Sequence, residues 1–440
     1  MLSRIACYGC FSRPVSSLHR QVHSIIINGV GTSTTSSVMA SLFQKNFDAE
    51  KDYPNFTGHK SLLSTHLTKE LYTKLRDVQT ESGFTIDRAI QNGVDNADFH
   101  LGVLAGDEQT YTVYKELFDP IIQDYHNGFK PSDNHVKDLD PAKLEGGQLD
   151  EKYVISSRIR TGRNVRGYAL SPFVCRAERR QVENIAEQAL AKLDGELSGK
   201  YYSLQTLGEA DKQQLIDDHF LFERPISRHF TSGGMARDFP DGRGIWHTND
   251  KRFLVWVNEE DHLRIISMRQ GGDMKAVFEL FCEGLSKFEG QMGNLAEPRE
   301  FMRNDHLGFI LTCPSNLGTG VRCSVHARFP LLASDKRYDL DKICLALRLQ
   351  KRGTSGEFTE AVGGVYDISN LDRLGTTEVQ QVQCVITGIN LLVKMEKCLE
   401  KGEPIDELLP MGMTAEENTN TNNSSRAKSG QKKTGVCVAL

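Results

Sequence analysis

The chain has 440 residues, 39% hydrophobic and 25% charged, enough for two or three domains and a sizeable core, which excludes wholesale disorder. A formal net charge of −5 excludes the broad basic field of a nucleic-acid-binding protein, so any anionic ligand needs a local cluster of cations. No apolar run approaches the roughly 18 residues that cross a bilayer, and ten scattered cysteines fit free thiols better than a disulfide framework.

Residues 1–38 carry Arg4, Arg13 and Arg20, many Ser and Thr, and no acid. That composition fits a mitochondrial transit peptide, or a disordered extension ahead of a start at Met39. Cys7 and Cys10 form a lone CxxC with no second pair, so no metal is expected there. Residues 39–142 read as a helical domain. A helix is expected over 65–78, with Leu67, Leu71, Leu75 and Val78 on one face. A second, over 111–125, should be kinked or split by Pro120. Residues 131–147 are polar and Gly-containing, as a linker would be. From 143 to 410 strand-like runs (153–159, 253–257, 264–268, 308–312 and 324–329) alternate with helical patterns at 177–193 and 274–288. This is a mixed domain, a sheet covered by helices. Residues 411–440 are a disordered, low-complexity tail. Its last four residues begin at Cys437, after Lys432 and Lys433, and fit either a prenylation box or a chance terminal cysteine. Prenylation sits poorly with mitochondrial import, so the two ends leave mitochondrial and cytoplasmic locations both open.

Phosphoryl transfer asks for positioning and for positive charge around the moving group. The usual GxxxxGK[ST] loop is missing. Arginines beside strand-like runs offer a substitute. Arg158 and Arg160 stand two apart, so on a strand both face one way. Arg264 follows the acidic run Glu259, Glu260, Asp261; Arg322 follows the Gly-rich CPSNLGTG; Arg352 opens RGTSGE. Planar guanidinium forks suit phosphate oxygens, although each alone also fits an ordinary surface arginine. The acidic run suits either a base that grips a cationic acceptor or a solvated loop. Cys313, two residues before Ser315, fits either a thiolate held by a hydroxyl or a buried inert thiol.

CPSNLGTG (Cys313 to Gly320) resembles the signature of the phosphagen kinases, the creatine and arginine kinase family. LIDDHFLF, GRGIWH, FLVWVNEEDHLRIISM, LRLQKRGT and GGVYDISN stand in the family's order, from about Tyr53 to Leu409. The resemblance implies an α+β fold: a small all-α N-terminal domain, then a glutamine-synthetase-like antiparallel sheet domain flanked by helices. It implies MgATP as phosphoryl donor, ADP as product, a small guanidino metabolite as acceptor, and a homodimer or larger assembly. By position it makes Arg158, Arg160, Arg264, Arg322 and Arg352 the phosphate clamp. Ser156, Ser157, His219, His326, Gly353, Thr354 and Asp367 become further nucleotide contacts. Glu260 matches the carboxylate that holds the guanidinium and serves as base, and Cys313 the thiolate beside it. No residue is expected to bind Mg²⁺ directly; Glu259 and Asp261 are candidates to orient its waters.

The acceptor is read from three places. The stretch from Gly93 to Glu108 resembles the family's substrate loop, with Phe99, His100, Leu101 and Leu104 in it, and has the arginine-kinase length. Tyr125 stands where arginine kinases have Tyr, and Glu357 matches their second carboxylate. Leu104 departs from their usual Tyr, Phe99 and His100 are atypical, and much of the remainder is nearer creatine kinase. Arginine is therefore expected, with taurocyamine, lombricine and creatine as alternatives. Two other readings are an inactive nucleotide-binding scaffold, against which Glu260, Cys313 and the arginines argue, and a protein-arginine kinase, which the N-terminal domain disfavours.

Overall fold

The computed structural model describes residues 49–222, 224–353, 363–411 and 413. The chain divides into two compact units, 1–52 and 53–440, and a short helix, Ala49–Asp52, is the described part of the first. The second unit opens with helices α1 (Leu62–His66), α2 (Lys69–Leu75), α3 (Ile86–Asp95), α4 (Thr110–Val113) and α5 (Lys115–Tyr125).

Two expected helices are each divided. The stretch 65–78 breaks because the Thr68 hydroxyl accepts from the amide of Leu71 and starts α2 afresh. Leu67 and Leu75 still reach the core, while Val78 is exposed. The stretch 111–125 breaks at Tyr114 and not at Pro120, which lies inside α5. Tyr114 shares its hydroxyl proton between the carbonyls of Val78 and Phe84, so tertiary bonds set the break. Leu117 and Phe118 before Pro120, with Ile121 and Ile122 after it, anchor both halves of α5 and offset the missing backbone bond.

The remaining elements build one sheet and its cover. Strands β1 (Val154–Arg163), β2 (Gly199–Ser203), β3 (Gly244–Thr248), β4 (Phe253–Val257) and β5 (Leu263–Gln270) are followed by a small ribbon of β6 (Arg303–Asn304) and β7 (Gly308–Phe309). Then come β8 (Arg322–Arg328), β9 (Leu349–Arg352) and β10 (Val365–Asn370). The order in the eight-stranded sheet is β2-β3-β4-β5-β1-β8-β10-β9, and every neighbouring pair is antiparallel. Helices α6 (Arg176–Leu190), α7 (Glu209–Asp217), α8 (Arg228–Ser232), α9 (Met274–Gly293), α10 (Pro330–Ser334), α11 (Leu340–Ala346) and α12 (Glu378–Glu400) lie between and after the strands.

One face of the sheet is apolar. Ile159, Ile265, Val325 and Ile368 share a core with Val182 of α6, Phe278 of α9, and Val382 and Ile386 of α12. The period-2 alternation of a strand then forces the intervening residues onto the opposite face.

Residues 53–440 form one compact unit, within which the first helices and the sheet keep distinct apolar clusters. The apolar cluster of the first helices runs on into Ile310, Cys313, Leu317 and Leu374. The Tyr111 hydroxyl donates to the Leu311 carbonyl at 2.6 Å, and the Ala105 amide to that of Thr312 at 2.8 Å. The strand expected over 308–312 shrinks to Gly308–Phe309 because the following residues make these contacts instead.

Candidate active site

The open face of the sheet is built by alternation and register. On β1, Ser156, Arg158 and Arg160 share that face, since Ile159 between the arginines is in the core. Pairing extends the set sideways: Arg160 lies opposite Arg322 on β8, Arg158 opposite Ser324, and Ser156 opposite His326. On the other side Gly162 lies opposite Arg264 of β5. Asp367 of β10 faces His326 and also Arg352 of β9. Five arginines from four strands therefore converge on one surface.

Their charges interact. Arg322 Nη2 is 2.5 Å from Asp367 Oδ2, and its Nε donates to Ser369 Oγ at 3.3 Å. Burial alone would raise the Asp367 carboxyl, but Arg322 and His326 overcome it and hold it below its ordinary value. Burial, then Arg322, pushes Arg158 down to about 10, with its Nε buried and without a hydrogen-bond partner. Burial, then Arg264, Arg322 and Arg158, pushes Arg160 well below the usual arginine range. Such a face carries more positive charge than its carboxylates relieve, and a polyanion would reverse the strain. Trp256 of β4 closes one side, with the Arg158 guanidinium 5.9 Å from its ring.

Beside this face stands a buried acidic turn. Arg264 Nη2 donates to Glu260 Oε2 and lies 3.2 Å from Asp261 Oδ2, while its Nε is 3.6 Å from Glu259 Oε2. Burial lowers the Arg264 guanidinium, but Glu260, Asp261 and Glu259 overcome it and raise it. Burial pushes the Glu260 carboxyl up to about 7 against the pull of Arg264. Asp261 is fixed by Asn164 Nδ2 at 3.1 Å and the Thr312 amide at 2.8 Å. Asn316 Nδ2 donates to Glu260 Oε1 at 3.3 Å, and the Cys313 thiol lies 3.0 Å from Ser315 Oγ. The carboxylate, the thiol and the arginine face thus meet at one point, with Arg264 belonging to two of the three. A near-neutral carboxylate next to a polycationic surface suits transfer of a phosphoryl group to a cationic acceptor.

Family models agree with this chemistry. The ATP:guanido phosphotransferase C-terminal catalytic domain matches residues 181–399, and the N-terminal domain of the same family matches 57–123. The chain belongs to the ATP:guanido phosphotransferase family. It is a phosphagen kinase, an enzyme that moves a phosphoryl group between ATP and a guanidino compound. Arginine kinase of Stichopus japonicus is 67% identical over 372 residues, covering 84% of this chain and 100% of that protein. Creatine kinase M-type of Bos taurus is 55% identical, covering 83% of this chain and 96% of that one. Among solved structures, lombricine kinase superposes with a TM-score of 0.79 at 48% identity, covering 83% of this chain and 100% of that chain.

In this phosphagen kinase several sequence-derived residues fall elsewhere than expected. Ser157 is on the helix-covered face, where its hydroxyl donates to the Gly271 carbonyl at 3.0 Å, because it alternates with Arg158. His219 is exposed just after α7; its neighbour Phe220 accepts from Trp256 Nε1 at 2.9 Å, which sets it near the edge of the arginine face. Ser156 Oγ is 3.1 Å from His326 Nδ1. Phe99, Leu101 and Leu104 turn into the apolar core of the first helices, since that core needs their area more than the site does. His100 and Tyr125 are half-buried, their rings 6.1 Å apart. Glu259 and Asp261 both face Arg264, which competes with the water-orienting role expected for them. Gly353 directly follows β9, and Thr354 and Glu357 lie outside the described residues, as do 1–38 and Cys437.

Three residues of the site were not singled out from the sequence. Trp256 lies in the quoted FLVWV, and Asn316 within CPSNLGTG, but neither had a stated role. Arg373 follows GGVYDISN and had no motif to mark it. It is buried, and its Nη1 donates to the Ser315 carbonyl at 2.9 Å and to Asn316 Oδ1 at 3.0 Å.

Proposed function

We propose that this phosphagen kinase transfers the γ-phosphoryl of MgATP to arginine, with the residues around Arg264 as the reacting centre. The observation that carries the reading is the hydrogen bond from Arg264 to Glu260, which joins the carboxylate to the arginine face. Arg158, Arg160, Arg322 and Arg352 neutralise the triphosphate together with Arg264. Glu260 receives the planar guanidinium, orients one nitrogen for in-line attack, and takes its proton as the N–P bond forms and the bond to the ADP oxygen breaks. Cys313, held 3.0 Å from Ser315 Oγ, lines the acceptor side of the centre. Mg²⁺ enters as part of the substrate, on the phosphate oxygens.

Arginine as acceptor is supported by the identity to an arginine kinase, by Tyr125, and by the length of the 93–108 loop. A coupled assay over arginine, creatine, taurocyamine, lombricine and glycocyamine tests it; a preference for any other member overturns arginine and leaves the family intact. Glu260→Gln is expected to lower turnover by roughly 10²- to 10⁴-fold, the usual worth of a positioned base, while nucleotide affinity changes little. Unchanged turnover would sink the role assigned to Glu260. A homodimer or larger assembly goes with this reading, and sedimentation measures it directly.

A further inference from the structure

We infer that Arg373 is a positioning residue that sets which way the Asn316 amide faces and, through it, where the Glu260 carboxylate stands. A guanidinium only donates hydrogen bonds. Because Arg373 Nη1 donates to Asn316 Oδ1 at 3.0 Å, the amide oxygen has to point at Arg373. The other end of the amide, Nδ2, is thereby turned to Glu260 Oε1 at 3.3 Å. Rotated by half a turn, the amide would set oxygen against carboxylate and nitrogen against guanidinium, two repulsions in place of two bonds.

The same nitrogen of Arg373 donates to the Ser315 carbonyl at 2.9 Å, and the Ser315 hydroxyl lies 3.0 Å from Cys313 Sγ. One guanidinium therefore holds the turn from which both Cys313 and the partner of Glu260 project. Arg373 is itself anchored: its carbonyl accepts from the Thr319 amide at 3.1 Å and from Gln381 Nε2 at 3.1 Å. It sits in the segment after β10, 57 residues from Asn316 along the chain. The contact thus ties the far end of the sheet to the reacting carboxylate.

The inference deepens the proposed function and rests on Glu260 being the group that meets the acceptor. Four variants test it: Arg373→Met, Arg373→Lys, Asn316→Ala and the double variant Arg373→Met/Asn316→Ala, each with kcat and both KM values. Arg373→Met and Asn316→Ala should each lower kcat on the order of 10- to 100-fold, the usual effect of a small misplacement. The KM for MgATP should change less than kcat, since the Arg373 side chain bonds Ser315 and Asn316 and reaches the arginine face only through its charge. Arg373→Lys, whose ammonium can still donate to Asn316 Oδ1, should recover part of the loss. The double variant should be no slower than the slower single one, because both remove the same link. Multiplying losses in the double variant, or an Arg373→Met that changes only the MgATP KM, would overturn the relay. If Arg373→Met does not fold, Arg373→Lys with and without Asn316→Ala supports the same comparison. A Glu260→Gln enzyme of normal turnover would instead remove the reading beneath the relay, so the two failures are distinct.

Discussion

Two influences pull the proton of Glu260 in opposite directions. Burial raises its carboxyl, with Asp261 and Glu259 adding to it, while Arg264 and Arg160 draw it down, and the balance is about 7. A carboxylate that must accept a proton works only when ionised, so turnover should fall as pH drops through about 7. The residual rate of Glu260→Gln should lack that acid limb. Stability carries the opposite sign. The folded value lies above the ordinary ~4.3 of glutamate, so the contribution of Glu260 to folding is complete below that and is lost as pH rises through about 7. Glu260→Gln should therefore raise Tm more at pH 8 than at pH 5, and equal shifts at both would refute the argument. The arginines show the same conflict. Burial, Arg264, Arg322 and Arg158 all oppose the charge of Arg160. Arg160→Met should weaken nucleotide binding roughly 10- to 100-fold, the worth of a charge-assisted hydrogen bond, yet raise the Tm of the nucleotide-free protein. Titration and scanning calorimetry measure the two effects; a lowered Tm would mean that the arginine face is not under repulsion.

At the level of elements, the turn from Cys313 to Gly320 does most to position chemistry. It leaves the site by two glycines in the left-handed region, Gly318 at φ +87° and Gly320 at φ +65°. A Cβ on Gly318 would stand 2.3 Å from the carbonyl oxygen of Arg373, which is backbone and cannot swing aside. Gly318→Ala should thus cost stability and turnover together, by at least the ~1–2 kcal/mol of a left-handed non-glycine residue. An alanine variant with wild-type Tm and kcat would show that the turn is softer than it looks. β1 is the other decisive element. It lies between β5 and β8, so a single strand of alternating residues serves the core on one side and the arginine face on the other. Gly162 at its end has Asp261 Oδ2 and Leu311 Cδ2 each 2.9 Å from where a Cβ would be, so the acidic turn needs that position bare.

Across the whole molecule, the first helices and the sheet domain share one apolar cluster that includes Cys313. Their hydrogen bonds to Leu311 and Thr312 end on the residues just before that thiol. The turn that carries Cys313 is therefore packed by both parts. Because the first helices and the sheet domain share that cluster, they should unfold together in a single calorimetric transition. Two resolved transitions would show that the helices fold independently. Saturating nucleotide should move that one transition upward by mass action, about 2.7 kcal/mol at a hundred times Kd.

Much of the site is legible in the chain itself. The alternation that sets Arg158 and Arg160 together is a property of one extended segment, and so is the glycine pattern of CPSNLGTG; each follows from local sterics. The cap at Thr68 is legible too, a hydroxyl that starts a new helix within the leucine spacing. What the sequence could not reveal is adjacency across long separations. That β8 lies beside β1, that Asp367 lies between His326 and Arg352, and that Arg373 reaches Asn316 all depend on the strand order. The same limit explains Leu101 and Leu104, which a loop motif assigned to substrate and the helical core claimed. Chemistry-bearing residue types and their local spacing are written along the chain. Their convergence is decided by which apolar faces bury one another, a choice made only when the chain closes on itself.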